Sequence, residues 1–230
     1  MRTATRSAKI KPAGTGRSPA AEKPNTARWG NEIQSSAEQG DLKRFAIIRK
    51  AAELFNERGF YETSLNELAK RLNVTKPSLY YYFKNKDDIL LQILNQTITE
   101  FTPAMTMANE SGLCGLEKLK IFLTLYTVSM TGVFGKCMVL SGVGPLEPAS
   151  RDELTPTFRM LDNFVRGLLE EGIKDGSITP CDTKITTFSI FGAMHWLAQW
   201  YRPDGELNPQ EIADRVFALF ESGLKAPTGD

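Results

Sequence analysis

Residues 64–86 read SLNELAKRLNVTKPSLYYYFKNK, and the parsing of this stretch decides the fold. Ser64 and Glu67 have the S-x-x-E spacing of a capping box, so a helix opens at Leu65. Leu65, Leu68, Ala69 and Leu72 then share one face. Asn73 is a residue type that tolerates the left-handed conformation that closes a helix. Thr75 suits the N-cap of a second helix. Pro77 falls in its first turn, where a missing N–H costs nothing. That helix extends to about Phe83. Asn85 caps a further helix beginning at Lys86, with Asp88 at its third position.

Two short helices joined by a tight turn, the second one polar at its N-terminus, make a helix-turn-helix. In that motif the second helix enters the major groove, and its first residues meet base edges and phosphates. The residue types fit the task. Thr75 and Ser78 offer hydroxyls, and Lys76 offers positive charge. Tyrosine hydroxyls at 80, 81 and 82 can bond phosphates while the rings pack on sugars or a thymine methyl. Lys84 and Lys86 extend the basic edge, whereas Leu79 and Phe83 are expected in the core.

The preceding residues support this reading. Ile47, Ile48, Ala51, Leu54 and Phe55 recur at helical spacing, and Gly59 follows as a stop signal. The pattern is helical from Asp41 onward. Residues 1–40 are rich in small and basic residues and poor in large apolar ones, which predicts a disordered basic tail. Residues 1–90 hold 17 Lys and Arg against 10 Asp and Glu, while the remainder holds 11 against 17. The net charge of +1 therefore hides a basic front and an acidic rear, which places a polyanion binder first.

Beyond residue 87 the chain stays helical, with no convincing period-two segment. Pro103 is expected to end or bend the helix that starts at Lys86. Leu116, Leu119, Leu123, Tyr126 and Met130 mark a helix over about 113–130. Short or irregular helix follows in the Gly-rich stretch 132–145. Leu161, Val165 and Leu168 point inward from a helix over 150–174, closed by Gly176. Residues 182–201 are apolar nearly all round, so that helix needs cover on more than one side. Asn208, Pro209 and Glu211 form another capping box, which starts a last helix carrying Ile212, Val216, Leu219 and Phe220. The predicted architecture is all-α: a basic tail (1–40), a three-helix helix-turn-helix domain (41–87) and a helical body (88–230).

Other chemistries leave no pattern. Cys114, Cys137 and Cys181 are odd in number and widely spaced, which fits a reducing cytoplasm and predicts no metal site. No apolar run spans a bilayer, and no signal peptide follows the basic N-terminus. Paired carboxylates, a Cys/His pair and a phosphate-cradling glycine loop are all missing, so no catalytic residue and no cofactor is assigned. His195, the one histidine, has no partner visible in the sequence. Phe122, Tyr126 and Met130, and Trp196 with Trp200, are candidates for the wall of a small-molecule pocket. Plain core or dimer packing is the commoner role at that spacing.

These residues also carry a resemblance. The span from Arg44 to Leu94, with AAELFNERGFYETSLNELAKRLNVTKPSLYYYFKNKDDIL at 51–90, resembles the DNA-binding domain of the TetR family of bacterial transcriptional regulators. The resemblance implies that Thr63 binds a phosphate before the second helix. Thr75, Lys76, Pro77 and Ser78 fall on the reading positions, and Tyr80 and Tyr81 match the family's paired tyrosines. Lys86 matches a phosphate-contacting lysine. Tyr82 stands where histidine is usual, and Pro77 where glycine is common. Residues 192–224 are similar to the last two helices of one group of these regulators, several of which respond to acyl-coenzyme A or related lipids. The resemblance implies a homodimer formed through the last two helices, a palindromic duplex operator and a small-molecule effector of hydrophobic or acyl type. An acyl-metabolite-binding or hydrolysing protein with an ancillary DNA-binding domain is the alternative.

Overall fold

The computed structural model describes residues 36–224, and the expected tail lies outside them except for its last residues. The chain divides into two units, Met1–Gly40 and Asp41–Asp230. The first helix, α1 (Ser36–Arg58), starts at Ser36 rather than Asp41. It ends on Gly59, whose φ of +88° needs a residue without a Cβ. Apart from an isolated bridge residue at Ile178, all regular structure in the described residues is helical.

The next two helices are short. In α2 (Leu65–Arg71) the Ser64 hydroxyl accepts from the Glu67 backbone N–H, as expected. The reciprocal arm of the box is not made, because the Glu67 carboxylate pairs with Arg58 instead. Asn73 does take positive φ, at 53°. The Val74 N–H returns to the Ala69 carbonyl and the Asn73 N–H to that of Lys70, the two bonds of a Schellman turn. The recognition helix α3 (Lys76–Tyr80) is shorter than expected and passes into a turn before Phe83. Its hold on the core is Leu79 and Phe83, both buried as expected.

The body begins with α4 (Lys86–Glu110), capped by the Asn85 side chain on the Asp88 N–H. The helix runs through Pro103 rather than ending there. Next come α5 (Gly115–Thr131) and α6 (Val133–Ser141), which turn on Gly132 with an 84° bend between their axes. α7 (Pro148–Asp175) ends on Gly176 at φ +80°. α8 (Thr183–Trp200) and α9 (Pro209–Leu224) complete the fold, and Asn208 and Glu211 make both bonds of their capping box. α5 lies at the centre and packs against α4, α6, α7, α8 and α9. Leu119, Phe122, Leu123, Tyr126 and Met130 of α5 are fully buried there. In α9 the inward residues are Ile212, Ala213 and Phe217, while Leu219 points outward and is 75% exposed. Of the four apolar residues expected on this helix, Ile212 is buried, Val216 and Phe220 pack partly buried against the core, and Leu219 alone faces outward.

Where α5 starts, it nearly touches α7. A Cβ on Gly115 would lie 2.2 Å from the Gly172 nitrogen and 2.4 Å from its Cα. The free N–H groups of Gly115 and Leu116 are taken up by Asp175 Oδ2 at 2.7 Å and Ser177 Oγ at 3.2 Å. Gly115→Ala must push backbone from backbone and is expected to cost about 1–3 kcal/mol. Gly167→Ala meets nothing within 4 Å on the same helix pair and is expected to be neutral or to stabilise by up to about 1 kcal/mol. Urea midpoints at one protein concentration check both, and equal midpoints for the two variants would refute the contact.

Candidate nucleic-acid interface and interior cavity

The N-terminal edge of α3 is the exposed part of the helix-turn-helix. Thr75 takes the extended N-cap conformation, but its hydroxyl does not cap. It pairs instead with the Ser78 hydroxyl at 2.8 Å. Lys76, Pro77 and Ser78 are exposed. The Lys76 ammonium lies 5.8 Å from the centre of the Tyr80 ring. Tyr81 is 83% exposed and Tyr80 49%. Tyr82 differs from both: it is half-buried against the core, with Tyr81 edge-on to it at 5.0 Å. The three consecutive tyrosines thus divide into two outward phenols and one support.

Two expected phosphate anchors sit elsewhere. Thr63 is only 2% exposed, and its hydroxyl donates to the Gly59 carbonyl at 2.9 Å, so it secures the turn after α1. Lys86 is half-buried, and its ammonium donates to the carbonyls of Phe60 at 2.8 Å, Thr63 at 3.0 Å and Tyr61 at 3.4 Å. It also lies 4.2 Å from the centre of the Phe60 ring. Burial lowers its pKa, and the charge of Glu62 opposes that shift. All three of its donors are engaged within the protein, so Lys86 ties α4 to the α1–α2 turn. A lysine beside a recognition helix reads from sequence as a phosphate contact. Only the carbonyls of a folded turn reveal the other role.

A cavity of about 350 Å³ lies in the body, walled by Met138 of α6, Phe158 and Leu161 of α7, and Phe188 and Phe191 of α8. Of the five residues expected to form a pocket wall, Tyr126 alone lines this cavity. Phe122 and Met130 are core residues without exposure, while Trp196 and Trp200 face outward, Trp196 at 65%. The wall could have been found from Phe188, Phe191 and His195, which repeat at three and four on α8, together with Phe158, Leu161 and Asp162 on α7. Bare periodicity finds such a stripe without its phase.

At the inner end Tyr126 Oη and His195 Nε2 are 2.8 Å apart, and the imidazole stacks on Phe191. Burial raises the pKa of the phenol and lowers that of the imidazole, so both are neutral near pH 7. On another wall Asp162 Oδ2 accepts from Arg166 at 2.9 Å. Cys137 is buried, and burial pushes its thiol up to about 12, which removes the thiolate that redox sensing needs.

Several contacts among the described residues join the helix-turn-helix to the body, Arg44 Nη1 of α1 donating to Gln92 Oε1 of α4 at 3.4 Å among them. Asn56 Nδ2 of α1 donates to the Val133 carbonyl of α6 at 2.9 Å. Phe45 of α1 meets Phe134 of α6 edge-on at 5.6 Å. Asp87 of α4 accepts from the Glu147 N–H and the Ser150 hydroxyl, both at 2.6 Å, where α7 begins.

Comparison with known proteins matches two segments of the chain. Residues 47–93 match the family model of bacterial regulatory proteins of the tetR family, and residues 113–224 match that of the tetracyclin repressor-like C-terminal domain. The chain is 26% identical over 191 residues to the HTH-type transcriptional repressor KstR2 of Rhodococcus jostii, covering 80% of this chain and 92% of the relative. It is 24% identical over 185 residues to the fatty acid metabolism regulator protein of Bacillus subtilis, covering 79% of this chain and 95% of the relative. The crystal structure of AibR in complex with isovaleryl coenzyme A and operator DNA superposes with a TM-score of 0.69 at 24% identity, over 76% of this chain and 96% of that one.

Two predictions follow from this geometry. Lys86→Ala leaves carbonyls of residues 60–63 without their ammonium donor and is expected to cost about 1–2 kcal/mol. Hydrogen exchange should then rise at residues 59–64. Unchanged exchange there, with only the salt dependence of DNA binding reduced, would restore the phosphate role. His195 has a folded pKa below its ordinary 6.5, so the unfolded chain takes up the proton first as pH falls. Stability held by the neutral ring is complete above about pH 6.5 and declines below it, toward the lower folded pKa. His195→Gln should flatten that part of the melting-temperature profile.

Proposed function

The chain belongs to the TetR family of bacterial transcriptional regulators, and on that premise we propose that it is a dimeric repressor released from its operator by a small, largely apolar effector. It is a DNA-binding regulator, and the division of labour falls between residues 41–87, which hold the operator, and 88–230, which hold effector and partner. The observation that carries the DNA reading is the exposed edge of α3, with Lys76, Pro77, Ser78, Tyr80 and Tyr81 outward over a buried Leu79. Thr75 and Ser78 offer a linked hydroxyl pair to a base edge or phosphate. Tyr80 and Tyr81 anchor phosphates, and Tyr82 holds Tyr81 in place. Lys86 and Thr63 act indirectly, through the turn they brace.

A single recognition helix reads only a half-site. Two of them on a palindromic duplex require a two-fold dimer. The support for pairing through the last two helices is an outward apolar stripe: Ile185, Trp196 and Trp200 on α8, with Leu219 on α9, all at least 47% exposed. Patches of that kind mark contact surfaces. The protein works where its operator is, in the cytoplasm. No single helix among the described residues is long and apolar enough to cross a membrane.

The effector site is the cavity between α5, α6, α7 and α8. Its walls are mostly apolar, the Asp162 carboxylate in them is paired with Arg166, and the neutral Tyr126–His195 pair can orient a polar group. An acyl chain fits that chemistry. The named relatives support the class, one being a regulator of fatty acid metabolism and another a complex with isovaleryl coenzyme A. The protein is not an enzyme: the hydroxyl that meets His195 is a phenol made less acidic by burial, which is a poor nucleophile. Effector binding favours a body conformation in which the heads are wrongly spaced for successive grooves. A preference of about 1–3 kcal/mol between the two states is enough to loosen the operator measurably.

Anisotropy titrations on the DNA upstream of its own gene test this. Tyr81→Phe is expected to weaken binding to all sequences alike, and Lys76→Ala or Ser78→Ala to relax sequence preference, by about 1–3 kcal/mol at the affected base step. Binding that ignores both salt and sequence would sink the reading. Asn56→Ala should keep operator affinity but blunt release by acyl-coenzyme A, since it removes a contact between α1 and α6.

A further inference from the structure

A second recess, of about 330 Å³, lies between α4 and α5 and shares no residue with the interior cavity. Pro103 and Met107 of α4 face Leu125 and Val128 of α5 across it, and Met107 and Val128 leave much of their surface to solvent. Its polar groups are few. Glu100 is the one charged residue in the lining and stands on its exposed rim. Loss of solvation raises the Glu100 pKa, while a hydrogen bond from Gln96 acts the other way. The Ser129 hydroxyl, also in the lining, is buried without a hydrogen-bond partner. Pro103, in the same part of α4, has no N–H to give the Thr99 carbonyl one turn back.

A carboxylate against an apolar wall is destabilised by what it has lost to solvent, and a cation restores that loss most fully. Apolar contact on Met107, Leu125 and Val128 provides for a hydrophobic body. The geometry points to a second small-molecule site in the α4–α5 groove, which takes an amphipathic cation, a primary amine on a short apolar body, with its ammonium at Glu100. Fatty acids and other anions are excluded by the same carboxylate. The site also has a place in regulation. Its lining includes Gly132, the joint between α5 and α6, and the next carbonyl, that of Val133, holds Asn56 of the DNA-binding end. A bound amine therefore rests on the joint whose position the operator-binding end senses.

Calorimetry of the full chain with 4-phenylbutylamine, 4-phenylbutan-1-ol and 4-phenylbutanoate tests the site, because the three probes share a body and differ in charge. The amine should bind one per chain, roughly threefold to tenfold more tightly than the alcohol, with the carboxylate weakest. Glu100→Gln should bring the amine down to the level of the alcohol and leave the alcohol unchanged. Val128→Arg, which places a guanidinium in the groove, should abolish amine binding while thermal melting confirms the fold. Equal affinities for the three probes, or an amine affinity indifferent to Glu100→Gln, would overturn the proposal. So would a crystal structure with the amine in the interior cavity. None of these measurements involves DNA, so they stand apart from the operator reading.

Discussion

The ammonium group of Lys86 bonds three backbone carbonyls in the turn between α1 and α2, and the geometry of the DNA-binding end depends on that arrangement. The turn begins on Gly59 in the left-handed region and leaves the carbonyls of Phe60, Tyr61 and Thr63 outside any helical ladder. A single flexible cation satisfies them, at the cost of its own solvation and of side-chain entropy of about 2 kcal/mol. Since Lys86 is the first residue of α4, the bond fixes the start of the helix that carries the chain from head to body. Asp87, the next residue, bonds the start of α7. Two adjacent residues thus grip the head and the body from one helix end.

This explains which parts of the protein could be read in advance. Asn73 was legible because a left-handed C′ position limits the residue that can occupy it, and its Schellman bonds follow from local chain geometry. Leu79 and Phe83 were legible because they are the two large, wholly apolar side chains in a polar and phenolic segment, which leaves few choices. The capping box at Asn208 was equally local. Thr63 and Lys86 were not legible, since each bonds carbonyls whose direction is set only by the folded turn. Trp196 and Trp200 have helical spacing, and spacing gives a stripe without saying whether it faces in or out. The interior cavity draws on four helices, so no single segment of sequence displays it.

The bend between α5 and α6 belongs to the same class of long-range constraint. The 84° turn brings α6 back so closely that a Cβ on Gly135 would lie 2.2 Å from the Ser129 carbonyl oxygen. Such contact makes the joint stiff, because backbone cannot yield as a side-chain rotamer does. A stiff joint passes displacement along α6 rather than absorbing it. The same helix has Met138 in the cavity wall and, at its other end, Val133 and Phe134 against α1.

The energies of these contacts match the task proposed for them. Met138 of α6 and Phe158 and Leu161 of α7 line the cavity, and both helices contact the DNA-binding end. α6 does so through one neutral hydrogen bond and one aromatic contact, each worth about 1 kcal/mol. α7 does so through two bonds to the Asp87 carboxylate, each worth about 1.5–3 kcal/mol. A ligand that spreads the helices need not break both. Loss of the weaker contacts, those of α6, already supplies a coupling of the 1–3 kcal/mol typical of regulated binding. The stronger Asp87 bonds can persist and keep the head attached and folded. That ordering of strengths favours a head that tilts about α4 over one that detaches, with the α6 contacts the first to give way.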